Sequence, residues 1–311
     1  MRTLGRLSAQ HLRHHSTAGC QRGPPFVFGV LLAAALLSNE AAAGEERLAL
    51  RLASGTEVQV RVQRASDSTA RLPAIVVLGG LERGAGVVDL IPRTSDAVLV
   101  GFDYPFALPE HVRWTELLPL SRRIEKGIRE TIETLGRLHA LFARRADIDP
   151  DRLTIVGVSL GAPFAVIGAA RQDYRGVVII DGFGDLPRTV RYQFARRWQP
   201  RYGFVGEALA WLAQTAAMQL IDVPEPEAAA RSLRADQHVY MIDARDDEFV
   251  PERSRESLRQ ALRRSEAQLT FETMPGRHIR AHEGQVIAQL YEQARAWMQR
   301  EGLIGPPRRS P

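Results

Sequence analysis

Cysteine is nearly absent. Cys20 is the single cysteine in 311 residues, and it precedes an apolar run that reads as part of a leader. A chain cleaved after that leader would hold none, which excludes disulfides, a cysteine nucleophile and cysteine-ligated zinc. Lysine is almost missing as well: Lys126 is the lone lysine among 41 basic residues. That is a compositional bias toward arginine and not a signature of phosphate recognition. No stretch of about 20 apolar residues occurs, so a polytopic membrane protein is excluded. No period of roughly 20–50 residues recurs, so repeat architectures are not expected.

What is present belongs to a folded chain. The hydrophobic fraction is 45% and the charged fraction 25%, enough for a sizeable core and inconsistent with wholesale disorder. The length suits one large α/β domain or two modest ones. The net charge of +5 is concentrated at the ends. Arg2, Arg6, Arg13 and Arg22 stand against Glu40 in residues 1–43, and Arg308 and Arg309 supply the remaining excess. The body is near neutral, so no nucleic-acid partner is expected.

Residues 1–43 read as a secretory leader. A polar, arginine-bearing stretch ends at Pro24-Pro25, Phe26–Leu37 is almost wholly apolar, and Ala41-Ala42-Ala43 offers an A-x-A cleavage site. The apolar core is short for a bilayer span. The expectation is export to the periplasm or medium, with Gly44 as the mature N-terminus and no stable membrane span after processing; the alternative is an uncleaved N-terminal anchor. His11, His14 and His15 fall in this leader and are not read as metal ligands.

The body, 44–311, alternates strand and helix patterns. Leu48–Ala53 and Glu57–Gln63 alternate around Ser54-Gly55-Thr56, a β-hairpin signal. Five continuous apolar runs follow: 74–78 after Pro73, Ala97–Gly101, Leu153–Val156, Val177–Ile180 and Val239–Ile242. Such runs suit strands buried on both faces of a parallel sheet. Amphipathic helical patterns separate them, which predicts a doubly wound, mostly parallel α/β sheet. Residues 186–237 interrupt the rhythm with a long helical interval carrying Tyr192, Phe194, Trp198, Tyr202, Trp211 and Met218. They are expected to form a helical cap over the sheet's carboxyl edge, with aromatics lining a pocket; the alternative is a packed helix pair with no role in the site.

One motif carries chemistry. Leu153-Thr-Ile-Val-Gly157-Val-Ser159-Leu-Gly161 is a buried strand running through G-x-S-x-G into a helix. A sharp strand-to-helix turn lifts a serine Oγ clear of the sheet, flanking glycines remove Cβ clashes, and the helix N-terminus presents N–H groups to a developing oxyanion. With Asp149-Pro-Asp-Arg ahead of it, this segment resembles the nucleophile elbow of the α/β-hydrolase superfamily, more closely its dienelactone-hydrolase and prolyl-oligopeptidase-like branches. The resemblance spans about 73–300.

That resemblance implies the α/β-hydrolase fold, Ser159 as nucleophile, and a chain order of serine, then acid, then histidine. His278, in the loop after the strand-like segment 269–273, takes the place of the base, with His282 in reserve. A His278/His282 metal pair lacks the glutamate such motifs require, so no metal and no organic cofactor is expected. Asp247, in Asp247-Glu-Phe-Val-Pro251, matches the acid; Asp181 and Asp246 are the alternatives. Leu160 supplies one oxyanion N–H and Gly80 the second, with Leu81 as the other possibility. The chain has Leu78 where many relatives carry a histidine before the glycine. The expected activity is a carboxylesterase-like serine hydrolase acting through a Ser-His-Asp triad and an acyl-enzyme on an ester, thioester or amide. Its partner would be a small-molecule or peptide acyl substrate. An acyltransferase of the same fold, or a non-catalytic binding protein of that fold, are the rival readings.

Overall fold

Seven apolar residues in a row, Leu72–Leu78, can only be stable with both faces covered, and all seven are buried in strand β3. The computed structural model describes residues 44–64, 71–80, 83–92, 94–107 and 117–305. The leader, Cys20 and the tail beyond 305 lie outside the described residues. An eight-stranded sheet runs in the order β1-β2-β4-β3-β5-β6-β7-β8. Strands β1 (Glu45–Arg51) and β2 (Glu57–Gln63) form the expected antiparallel hairpin. Strand β2 also pairs antiparallel with β4 (Val98–Phe102). From β4 onward every pairing is parallel, through β3, β5 (Ile148–Val158), β6 (Gly176–Ile180), β7 (His238–Ala244) and β8 (Gln268–Met274).

The helices cover the two faces unequally. Helix α1 (Leu117–Phe142) buries Ile128, Ile132, Leu135, Leu138 and Phe142, a stripe at the helical period. That stripe packs with α2 (Gly161–Arg171), α5 (Pro226–Arg231) and α6 (Glu252–Leu262) against Ala74, Val76 and Leu78 on one face of β3. Ile75 and Val77, one residue out of phase, point to the other face. There they meet the 3₁₀ helix Gly84–Leu90 and helix α7 (Gly284–Arg300), whose Leu290, Ala294, Trp297 and Met298 are buried.

The interval 186–237 is helical, as expected. Helix α3 (Leu186–Tyr202) is capped by Asp185, whose carboxylate accepts the Arg188 N–H at 3.2 Å. It turns at Gly203 (φ +56°) into α4 (Phe204–Leu220), and α5 follows. Chain reversal there requires a residue that tolerates positive φ.

Candidate active site

The elbow is built by close approach. Ser159 ends β5 with φ 53°, a left-handed conformation costly for a residue with a side chain. A Cβ on Gly157 would lie 2.6 Å from the Ala162 Cα, and one on Gly161 would lie 2.3 Å from the Leu78 carbonyl oxygen. Glycine is therefore required on each side of the serine because backbone occupies the space. The Ser159 N–H donates to the Ile180 carbonyl (2.8 Å) and its carbonyl accepts the Ala162 N–H (3.0 Å), which locks the turn into β6 and α2.

Three elements bring partners to this serine. The loop after β8 carries His278, which is 6% exposed; its Nε2 lies 2.9 Å from Ser159 Oγ and its Nδ1 lies 2.8 Å from Asp247 Oδ2. Asp247 sits in the loop after β7. Its Oδ1 accepts the Phe249 and Val250 N–H groups at 2.7 and 2.9 Å, so the carboxylate is fixed before it meets the imidazole. Of the candidates read from the sequence, Ser159, His278 and Asp247 are thus hydrogen-bonded in series. Asp246 is an exposed neighbour, and His282 lies at the mouth of the adjoining cavity.

Asp181, the other carboxylate weighed, is also close. It is 3% exposed, ends β6 with φ 48°, and its Oδ2 lies 3.6 Å from His278 Nδ1. Its two oxygens accept backbone N–H groups from Ala244 and Ile279, each at 2.9 Å. It ties the end of β7 to the residue after the histidine. Asp181, Asp247 and His278 offer ligand atoms within 4.8 Å of one another, the one such grouping among the described residues. The carboxylate oxygens are already engaged by N–H donors, which leaves this trio arranged to hold an imidazole.

Charges follow from these contacts. Burial opposes the charged imidazole, but the hydrogen bond to Asp247 and the negative charges of Asp247, Asp181 and Glu248 outweigh it and raise the His278 pKa. Burial pushes Asp247 up, yet its bond to His278, the imidazole's charge and its backbone donors hold it below the usual carboxylate range. For Asp181 burial wins, and its pKa is raised.

The two segments expected to supply amide donors both border the cavity at Ser159. Leu160 caps α2, where the first helical N–H groups have no intrahelical acceptor. Gly79 and Gly80 follow β3 and line the cavity beside Ser159; Leu81 lies outside the described residues. The Tyr104 hydroxyl donates to the Gly79 carbonyl at 2.7 Å and anchors this loop. Asp103, the residue after β4, accepts the Ala85 N–H at 2.7 Å.

Sequence reasoning missed the supports. No local sequence pattern links Tyr104 to Gly79, 25 residues earlier. On α3, Tyr192 and Arg196 donate to the Glu248 carbonyl (3.1 and 3.0 Å) and Gln193 donates to the Phe249 carbonyl (2.5 Å). The Arg196 guanidinium lies 3.8 Å from the Phe249 ring centroid, and that ring lies 5.1 Å from the His278 ring. The long interval therefore reaches the site by bracing the acid loop. Its tryptophans are placed otherwise than expected. Trp211 is 52% exposed, Trp198 stacks on Phe194, and no side chain of 186–237 lines the cavity at Ser159.

No protein-family model matches the chain in sequence. A search of curated proteins also returns no match. Solved structures do match. The chain has the α/β-hydrolase fold, an eight-stranded, mostly parallel sheet with helices on both faces. Acetyl xylan esterase 1 from Thermoanaerobacterium aligns over 82% of this chain and 84% of its own, with 13% identity and a TM-score of 0.54. The isopeptidase AtxE2 aligns over 82% of this chain with 19% identity and a TM-score of 0.59, and the chain spans 39% of its length. A cold-adapted esterase from an Arctic intertidal metagenomic library aligns over 85% of this chain and 97% of its own, with 14% identity and a TM-score of 0.53.

Proposed function

We propose that this chain is a serine hydrolase that cleaves an ester, thioester or amide through an acyl-enzyme. The observation that carries the reading is the unbroken series from Ser159 Oγ through His278 to Asp247, seated on a strained turn at a helix N-terminus. In this reading Ser159 Oγ attacks the carbonyl carbon while His278 Nε2 takes its proton. The oxyanion forms against the N–H groups of Leu160 and Gly80. His278 then returns the proton to the departing alcohol, thiol or amine, and the acyl group is left on Ser159. Water, deprotonated by the same nitrogen, attacks that acyl group, releasing the acid and restoring the serine. Asp247 keeps the proton on Nδ1, so that Nε2 is free to accept.

The fold neighbours support this reading by class, since those aligned are an acetyl xylan esterase, an isopeptidase and an esterase. A fluorophosphonate probe tests it. Wild type should be labelled at Ser159 and should turn over p-nitrophenyl esters; Ser159→Ala should fold and lose both. Labelling at another serine with activity retained overturns the assignment.

Export belongs to the same proposal. Among the described residues no helix is long and apolar enough to cross a membrane. The leader pattern in residues 1–43 supports secretion, and a mature N-terminus at Gly44 is its readout.

A further inference from the structure

The thinly covered face of the sheet leaves a gap. Where α1, α2, α5 and α6 fill one face, the other carries, among the described residues, the short 3₁₀ helix and α7. Between them and the sheet lies a cavity of about 580 Å³ that opens at Ser159, Gly80 and His278. This is a volume typical of small-ligand sites. Its floor includes Ile75 and Val77 of β3 and Val156 of β5; its roof includes Leu290, Ala294 and Met298, an i, i+4, i+8 stripe of α7.

Each feature narrows the occupant. The lining carries no carboxylate, and its two arginines, Arg83 and Arg280, are exposed residues. A peptide acyl group entering this largely apolar interior would bring amide groups that few lining side chains can pair. A methylene chain brings none, and each buried CH₂ is worth about fourfold in binding. From Gly80 back to Ile75 is five residues of extended backbone, roughly 16 Å. At roughly 1.2 Å per bond of an extended chain, that holds an alkyl chain of about twelve to fourteen carbons.

We propose that this cavity is an acyl-chain site and that the substrates are esters or thioesters of unbranched aliphatic acids of about twelve to fourteen carbons. The proposal rests on Ser159 as the nucleophile. The chain would thread between β3–β5 and α7 with its carbonyl at Ser159, and the leaving group would exit past Arg83 and Arg280.

The test uses the full chain with p-nitrophenyl acetate, butyrate, octanoate, dodecanoate and hexadecanoate, alongside fluorophosphonate labelling. The expected result is kcat/KM rising about fourfold per added methylene until the cavity is filled. Ala294→Phe, which places a ring in the roof, should lower the octanoate-to-acetate ratio of kcat/KM by tenfold or more. Should that variant not fold, Leu290→Ala serves instead, widening the roof and moving the optimum to longer chains. Ser159 labelled with acetate hydrolysed as well as octanoate overturns the acyl-chain site and leaves the serine hydrolase standing. An optimum unmoved by both variants does the same. Absence of labelling and of turnover across all esters overturns the hydrolase reading itself.

Discussion

Two carboxylates face one imidazole nitrogen at different ranges, and the difference assigns them different work. Asp247 Oδ2 lies 2.8 Å from His278 Nδ1, within hydrogen-bond reach, while Asp181 Oδ2 lies at 3.6 Å with both oxygens spent on backbone N–H groups. Asp247→Asn should therefore cut kcat by on the order of 10³- to 10⁴-fold, because control of the imidazole tautomer is lost. Asp181→Asn should cost far less in rate but should leave a pH signature. His278 must be neutral at Nε2 to accept the serine proton, and its pKa is raised above the ordinary 6.5 by charges that include Asp181. Activity should accordingly rise with pH through that elevated value. Removing the Asp181 charge lowers the imidazole pKa, so the acidic limb of kcat/KM should move to lower pH. A pH–rate profile of both variants checks this; a loss at Asp181 as large as that at Asp247 would reassign the acid. The same shift enters stability. The contribution of His278 is fully present below 6.5 and is lost as pH rises through its folded value, whereas that of Asp247, whose pKa is lowered, is present above 3.8 and lost as pH falls through its folded value.

At the scale of elements, the elbow and α3 hold the site by different means. The elbow is held by backbone contact. Gly161→Ala sets a Cβ 2.3 Å from the Leu78 carbonyl oxygen, and strand β3 cannot yield without disturbing its two parallel neighbours. The expected cost is about 1–3 kcal/mol, read by urea unfolding. Helix α3 holds by side chains on a loop surface. Arg196→Ala removes a cation–π contact and a hydrogen bond to the Glu248 carbonyl, freeing the loop that carries Asp247. A contact of about 0.5–2 kcal/mol corresponds to a twofold to thirtyfold fall in kcat. Arg196→Lys should recover only part of it, since an ammonium lacks the planar face that stacks on Phe249. Trp211→Ala should leave the acyl-chain profile where it is, because its ring is half exposed and away from the cavity. A changed profile in that variant would return the pocket to the helical interval.

For the whole molecule, charge and leader set the expectations. If residues 1–43 are removed as proposed, the remaining excess positive charge equals that of Arg308 and Arg309. The processed protein should show no binding to duplex DNA at physiological salt, because affinity of that kind needs many phosphate contacts. A gel-shift assay checks this. Terminal sequencing of exported protein should begin at Gly44, and an intact leader on cytosolic protein would reverse that expectation.

Sheet class and the serine's turn were readable along the chain, because each depends on local periodicity. Apolar runs of four or five residues mark strands covered on both faces, and G-x-S-x-G between a strand and a helix marks a turn whose clashes are set within a few residues. His278 and Asp247 were candidates through resemblance and chain order, but only folding brings polar atoms of residues 159 and 247 each within 3 Å of the His278 ring. Tertiary structure alone decided the rest. Whether Asp181 is the acid or a tie depends on which backbone N–H groups surround its oxygens, and those come from Ala244 and Ile279 on other elements. Whether the aromatic interval lines the pocket or braces a loop depends on which way α3 is turned. The cavity is a difference between what two sheet faces receive, set by the packing of helices distant in sequence, and no local pattern encodes a gap.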